Sequence, residues 1–309
     1  MKLTRLSLAC LLFCVTAPSA VPAPVDSRLL AQGTPVDSPP LAQGTQDANA
    51  RITASLNAIV AGDTNAARRE AIVAQLKDAG VDPVVEPFGE GRAAGANVVV
   101  TLPGSGTKTI VIGAHLDRVS VGRGAVDNGG SCAVLIELVT AVKASPLARS
   151  TLRVVFFDRE ENGLVGSRMH FSAPGHRADY AMNLDVFAYG DTIFATGSRP
   201  GGVLLRSLRA VGEATGLPVR DVPPDRYPGS DHQTMINAQI ETLGLALVDT
   251  ADVDGIVAMD VSKMRAGQGP RVLRIIHTPN DTMAEVRVEQ MARGIAFVEQ
   301  LIRKVDTGD

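Results

Sequence analysis

Histidines and carboxylates are spread through the chain at positions where they could act together. His115 and Asp117 stand two apart, and Asp127 precedes Asn128. Asp158, Glu160 and Glu161 crowd into a short stretch, and Asp185 and His277 stand alone further on. Imidazoles and carboxylates are the usual ligands of zinc and its neighbours. Several carboxylates converging in one cleft repel each other unless a cation compensates. If these groups meet, their number suits two metal ions: one carboxylate bridges, and each ion takes further protein ligands. Two ions roughly 3.5–4 Å apart clamp a water and lower its pKa toward neutrality. The adjacent glutamates can divide the work, one ligating while the other faces the water as general base. Each residue alone has an ordinary reading: a hydrogen-bonded histidine, Asp127 as a helix N-cap, Glu160-Glu161 as an exposed turn, Asp185 as a turn cap. Their joint placement favours the metal reading.

That placement depends on the elements around them. Strands are predicted at residues 97–102, 109–114, 152–157, 180–184, 192–196, 242–248 and 272–276. Helices are predicted at 131–144, 203–213 and 285–304, the last with the apolar stripe Val288, Met291, Ile295, Val298 and Ile302. Ile52, Leu56 and Ile59 have helical spacing, as do Ile72 and Leu76 before the stop at Gly80. The alternation implies an α/β fold: a single-domain α/β/α sandwich with a mixed, mostly parallel central sheet. In open sheets of this kind ligands bind beyond the carboxyl ends of the strands. His115 and Asp117, the 158–161 carboxylates, Asp185 and His277 each follow a predicted strand. Residues 251–270 lack periodicity and read as a surface loop.

The chain has 309 residues, 45% hydrophobic and 20% charged, which fits one globular catalytic domain of roughly 250 residues with a tail. A net charge of −3 without a long basic run leaves no electrostatic footprint for nucleic acid. Lys2 and Arg5, the apolar run from Leu6 to Val15, and the small residues up to Ala20 read as a signal peptide over 1–20. Residues 21–50 are rich in Pro, Gly, Ser and Gln. They carry a near-repeat, Val25-Asp26-Ser27 to Thr34 and Val36-Asp37-Ser38 to Thr45, and read as a flexible linker or propeptide. The catalytic domain is expected over 51–309. Cys10 and Cys14 fall in the leader, so Cys132 would be left without an intramolecular partner. The sequon at Asn280 sits beside a candidate metal ligand and reads as unused. The expected location is secreted or periplasmic, with no membrane association after the leader is removed, as a monomer.

Five stretches occur in the order and spacing of a known family. They are Gly113-Ala114-His115-Leu116-Asp117, Asp127-Asn128-Gly129-Gly130, Phe156-Phe157-Asp158-Arg159-Glu160-Glu161, Asn183-Leu184-Asp185 and His277-Thr278-Pro279-Asn280-Asp281-Thr282. Over roughly residues 95–305 the chain resembles the exported two-zinc aminopeptidases of the MH metallopeptidase clan, which are related to glutamate carboxypeptidases and glutaminyl cyclases. The resemblance implies two zinc ions per chain. His115 and Asp185 would hold the first, Glu161 and His277 the second, and Asp127 would bridge them. It implies Glu160 as general base, Asp117 orienting His115, and Asp281 doing the same for His277. It also implies hydrolysis at the N-termini of peptides or proteins. Three positions depart from the pattern: Leu116 replaces a usual Tyr, Arg159 a common Gly, and Ile276 stands where some members have a Tyr that assists the transition state.

Other readings compete. A carboxypeptidase would need a basic pocket, for which Arg199, Arg206 and Arg226 are candidates. A glutaminyl cyclase on the same fold would carry one zinc and an aromatic pocket, against which stands the absence of Trp. A non-catalytic relative would have lost ligands. Ser230-Asp231-His232 cannot form a Ser–His–Asp relay from consecutive positions; Ser230 reads as a helix N-cap and the segment as pocket lining. His170 and His176 read as surface or structural. Pocket walls are expected from 220–235 and 251–270.

Overall fold

The computed structural model describes residues 40–259, 265 and 267–308. The expected leader and most of the repeat-bearing segment lie outside the described residues. The first helix, α1 (Pro40–Val60), begins ahead of the expected boundary at residue 51, so the last part of the predicted linker is helical. Its buried face is Ile52, Leu56 and Ile59, the residues whose spacing predicted a helix. α2 (Asn65–Asp78) follows, capped by the Thr64 hydroxyl, which accepts from Ala67 N.

A single eight-stranded sheet forms the middle layer. In chain order its strands are β1 (Val84–Phe88), β2 (Gly95–Leu102), β3 (Lys108–His115), β4 (Ser150–Phe157), β5 (Tyr180–Leu184), β6 (Thr192–Gly197), β7 (Val219–Val222) and β8 (Glu241–Val248). Their spatial order is β1-β2-β4-β3-β5-β8-β6-β7. The central run β4-β3-β5-β8 is parallel, and β6 pairs parallel with β7, while β1-β2, β2-β4 and β6-β8 are antiparallel.

Alternation along the strands sorts side chains into two cores. Ile110 and Ile112 of β3 and Leu152, Val154 and Phe156 of β4 face the larger one. There they meet α1, α2, α3 (Gly130–Ala144), α5 (Val203–Thr215) and α8 (Val288–Thr307). Val111, Val155 and Phe157 face the opposite core with Met235 and Phe171, carried on α6 (His232–Asn237) and α4 (Val165–Ser172). Gly113 lets the two central strands close on this side: a Cβ there would run into the Phe157 ring.

Two expectations are corrected at the C-terminal side. Residues 250–258 are helical, α7 (Thr250–Ala258), with Val253 and Ile256 buried. The predicted strand 272–276 is instead a 3-10 turn over Arg271–Arg274. The Asp252 carboxylate accepts from Arg271 N (2.7 Å) and Val272 N (2.9 Å), tying that turn to α7. Its apolar residues join a third core with Tyr189, Phe194 and Tyr227, so their run of hydrophobicity reflects burial without sheet pairing. The short strands β1 and β7 have no alternation strong enough to stand out in the sequence.

Candidate metal centre

Three of the four parallel strand ends deliver the site. β3 ends on His115, β4 leads into Asp158 to Glu161, and β5 leads into Asp185. Asp127 lies in the turn that opens α3, and His277 arrives from the far side, after the 3-10 turn. The structure brings His115, Asp127, Glu160, Glu161, Asp185 and His277 to one cavity of about 320 Å³.

The Asp127 carboxylate lies at its middle. One oxygen is 3.1 Å from His115 Nε2 and the other is 3.0 Å from His277 Nε2. His115 Nε2 also lies 3.5 Å from Asp185 Oδ1, and His277 Nε2 lies 3.2 Å from Glu161 Oε1. Ligand atoms of His115, Asp127 and Glu161 fall within 4.8 Å of one another, as do those of His115, Glu160 and Asp185. Asp127 Oδ1, Glu161 Oε1 and Asp185 Oδ1 are buried without a hydrogen-bond partner. Buried carboxylate oxygens left this way are costly, and divalent cations between them would satisfy all three. The donor set therefore fits metal.

The electrostatics agree. His277 is pushed up to about 11 by the Asp127 and Glu161 carboxylates beside it. Burial works against ionisation of Asp127, yet the two imidazoles hold it far below the usual carboxylate range. Burial, reinforced by Asp185, Asp231 and Asp127 and opposed by His115, raises Glu160 to about 9. This is a field that selects positive charge at its centre.

The supporting contacts differ in part from expectation. His115 Nδ1 meets the Asp117 backbone carbonyl at 3.1 Å, while the Asp117 carboxylate is 3.6 Å away. With Nδ1–H given to a carbonyl, the Nε2 lone pair faces Asp127 and Asp185, the tautomer a metal ligand needs. The Asp117 carboxylate accepts instead from Glu160 N (3.0 Å) and Glu161 N (3.2 Å), which fixes the backbone of the glutamate pair. Asp281 likewise does not orient His277: it accepts from Val126 N (2.7 Å) and Asp127 N (3.3 Å). Asn128 secures the next loop, donating to Leu184 O and accepting from Val186 N. Asp158 turns away from the centre, accepting from Ala96 N and Asn65 Nδ2. Arg159, Val186 and His277 have φ of 64°, 56° and 56°. A left-handed backbone at non-glycine residues, above all at β-branched Val186, is tolerated where surrounding contacts hold it. All three stand at or beside candidate ligands.

The outer wall of the cavity is apolar. Val186, Ala246, Val248, Ile256, Val272 and Leu273 line it, with Tyr227 to Gly229 and Arg265. The two segments expected to supply pocket walls both do so. Tyr227 was not singled out in the sequence, where a lone Tyr in a Pro-Gly loop gives no signal. Its ring stacks on Phe194 (5.3 Å between centroids) and meets His232 edge-on. Burial and the nearby Asp185 keep its phenol protonated. An aromatic residue therefore lines the site from position 227, while position 276, where some members of the resembled family have a Tyr, is Ile.

The Ser230-Asp231-His232 segment is a buried support. Ser230 Oγ accepts from Asn183 Nδ2 (3.0 Å) and caps no helix. Asp231, raised to about 7 by burial, accepts from Ser167 Oγ at 2.5 Å. His170 is buried, 3.0 Å from Glu86, and His176 lies 3.3 Å from the same carboxylate, a structural cluster remote from the cavity lining. Arg199 pairs with Glu241 and Arg206 bonds the Gly201 carbonyl. Neither they nor Arg226 line the cavity.

Comparison with known proteins agrees with this geometry. A protein named Probable lipoprotein aminopeptidase LpqL, from Mycobacterium tuberculosis, is 40% identical over 93 residues, 30% of this chain and 17% of LpqL. The LapA aminopeptidase of Legionella pneumophila superposes with a TM-score of 0.65 at 16% identity, over 89% of this chain and 78% of LapA. BSAP, a zinc aminopeptidase from Bacillus subtilis, gives 0.56 at 18% identity, over 69% of this chain and 50% of BSAP. At those identities the two structures establish likeness of fold. The model of peptidase family M28 matches residues 97–301, which run from β2 into α8 and include every residue of the centre. The chain belongs to peptidase family M28.

Proposed function

We propose that this protein is an exported aminopeptidase that works with two zinc ions, and that the 1–20 leader directs the export. The observation that carries the reading is the Asp127 carboxylate, whose two oxygens face two different imidazoles at 3.1 and 3.0 Å. That is the disposition of a bridging ligand. His115 and Asp185 would hold one ion, Glu161 and His277 the other. The ions, when bound, supply Lewis acidity to a water and to the scissile carbonyl, and their charge keeps the surrounding carboxylates ionised.

The remaining chemistry belongs to the chain. Glu160 takes the proton from the attacking water and delivers it to the leaving amine. Asp117, by fixing the Glu160 and Glu161 amides, holds the base and a ligand in register. Tyr227 offers a protonated hydroxyl to the oxygen that gains charge in the tetrahedral intermediate. The substrate's free α-amine lies against Glu160 and Asp185. The side chain of its first residue lies on Val248, Ile256 and Leu273, a wall that suits a large apolar group.

Metal analysis with a screen of aminoacyl-anilides tests this. The expected result is two zinc ions per chain, chelator-sensitive release of apolar N-terminal residues, and loss of turnover in Glu160→Ala with zinc content intact. Activity persisting in Glu160→Ala would remove the assignment of the base. A single zinc per chain would favour glutaminyl cyclisation instead.

A further inference from the structure

Arg68 stands on α2, outside the stretch that matches the family model. Its side chain is wholly buried. Its Nε donates to Leu116 O (2.5 Å), Nη1 to Arg123 O (3.1 Å) and Nη2 to Gly124 O (3.2 Å). Leu116 lies between His115 and Asp117. Gly124 opens the turn that carries Asp127, and its own φ of 59° places it in the left-handed region. One guanidinium therefore grips both ends of the 116–124 loop, and a candidate metal ligand lies just beyond each end.

Burying an arginine among carbonyl oxygens is expensive, and arginines are seldom fully buried. The guanidinium is planar and its donors are fixed relative to one another, so three acceptors bound to it have set separations. The opposite polarity completes the arrangement. The Asp281 carboxylate accepts from Val126 N and Asp127 N, and its backbone oxygen accepts from Arg123 N (2.7 Å). Asp117 holds the amides of Glu160 and Glu161. Buried ionisable side chains thus fix the backbone beside His115, Asp127, Glu160 and Glu161.

We propose that Arg68 is a positioning residue for the metal centre: it sets the separation of His115 and Asp127, and through it the α1–α2 hairpin forms part of the centre. The proposal rests on the divalent-cation reading above. The hairpin also holds this loop from outside, where the Arg123 side chain reaches Asp63 Oδ1 (2.7 Å) and Val60 O (2.5 Å). That contact offers a control for simple docking of the hairpin.

The full chain, loaded with zinc, is titrated with a competing chelator as wild type, Arg68→Lys and Arg123→Ala. Lys keeps the charge and removes the fork. Arg68→Lys is expected to stay folded by circular dichroism and to hold zinc about 10–100-fold more weakly, the range for partners that orient metal ligands. Arg123→Ala should stay within about fivefold of wild type, the span of an exposed ion pair. A folded Arg68→Lys that holds zinc as tightly as wild type overturns the proposal. If Arg68→Lys does not fold, hydrogen exchange on the wild type decides. Zinc added to stripped protein should slow amide exchange in residues 65–72 of α2 along with residues 115–127. Slowing confined to 115–127 overturns the proposal. A wild type that takes up no zinc overturns the cation reading instead.

Discussion

Asp117 gives a sharp test, because its expected and observed roles make opposite predictions for one substitution. If its carboxylate served to orient His115, Asn would be tolerated, since an amide oxygen can also accept from Nδ1–H. In the structure the two carboxylate oxygens accept from two backbone amides, Glu160 N at 3.0 Å and Glu161 N at 3.2 Å, at a site 1% exposed. Asn offers one acceptor, and its NH2 group must then face the second N–H. The substitution loses at least one charge-assisted bond, worth about 1.5–3 kcal/mol, and leaves a buried donor unsatisfied at about 1–3 kcal/mol. Together these come to roughly 3–5 kcal/mol acting on the segment that carries both the proposed base and a proposed ligand. At 1.36 kcal/mol per factor of ten, kcat for leucyl-anilide should fall by about two to four orders of magnitude. Asp117→Ala should be at least as damaging as Asp117→Asn, since Ala removes both acceptors and leaves the Glu160 and Glu161 amides unpaired. Both variants should keep His115 in its tautomer, because that bond comes from the Asp117 carbonyl. A folded Asp117→Asn enzyme with kcat within tenfold of wild type would refute the reasoning.

Three further outcomes follow from the same geometry. Tyr227→Phe should lower kcat by about 10–100-fold with little change in KM if, as proposed, its hydroxyl acts on the developing oxyanion; a change confined to KM would assign it to substrate binding. Ala246→Phe fills the apolar wall and should raise KM for leucyl-anilide at least about tenfold, one lost apolar contact set, with a smaller effect on alanyl-anilide; equal effects on both would move the side-chain pocket elsewhere. Burial holds His232 down at about 4, against 6.5 for an unperturbed histidine. Between these values the unfolded chain takes up a proton that the folded chain refuses, so stability falls as the pH drops through that window, by about 3 kcal/mol in all. His232→Phe should flatten this acid limb in melts compared at pH 7 and pH 4.5, and an unchanged limb would rule out His232 as its source.

The residue types of the centre and their order were legible because the chemistry leaves little choice. Carboxylates and imidazoles placed after apolar strands had few other reasons to recur, and the parallel run β4-β3-β5-β8 follows from continuous apolar segments that need cover on both faces. The apolar stripe of α8 was equally plain. The sequence by itself thus settled the α/β class and singled out the candidate ligands and the candidate base, since hydrophobic period and side-chain chemistry are local properties. Which group each carboxylate serves was a matter for the tertiary structure. Asp117 and Asp281 could be read only as neighbours of histidines along the chain, whereas the fold aims both at backbone amides. Residues 272–276 show why an apolar run alone misleads: Val272, Leu273 and Ile275 are buried in a core shared with α7, and burial does not distinguish a turn from a strand. Tyr227 lines the site and Arg68 holds the loop behind it, each from a segment whose local sequence carries no mark of the site. Their roles depend on distances between parts of the chain far apart in sequence, and such distances are fixed when the cores on the two faces of the sheet close.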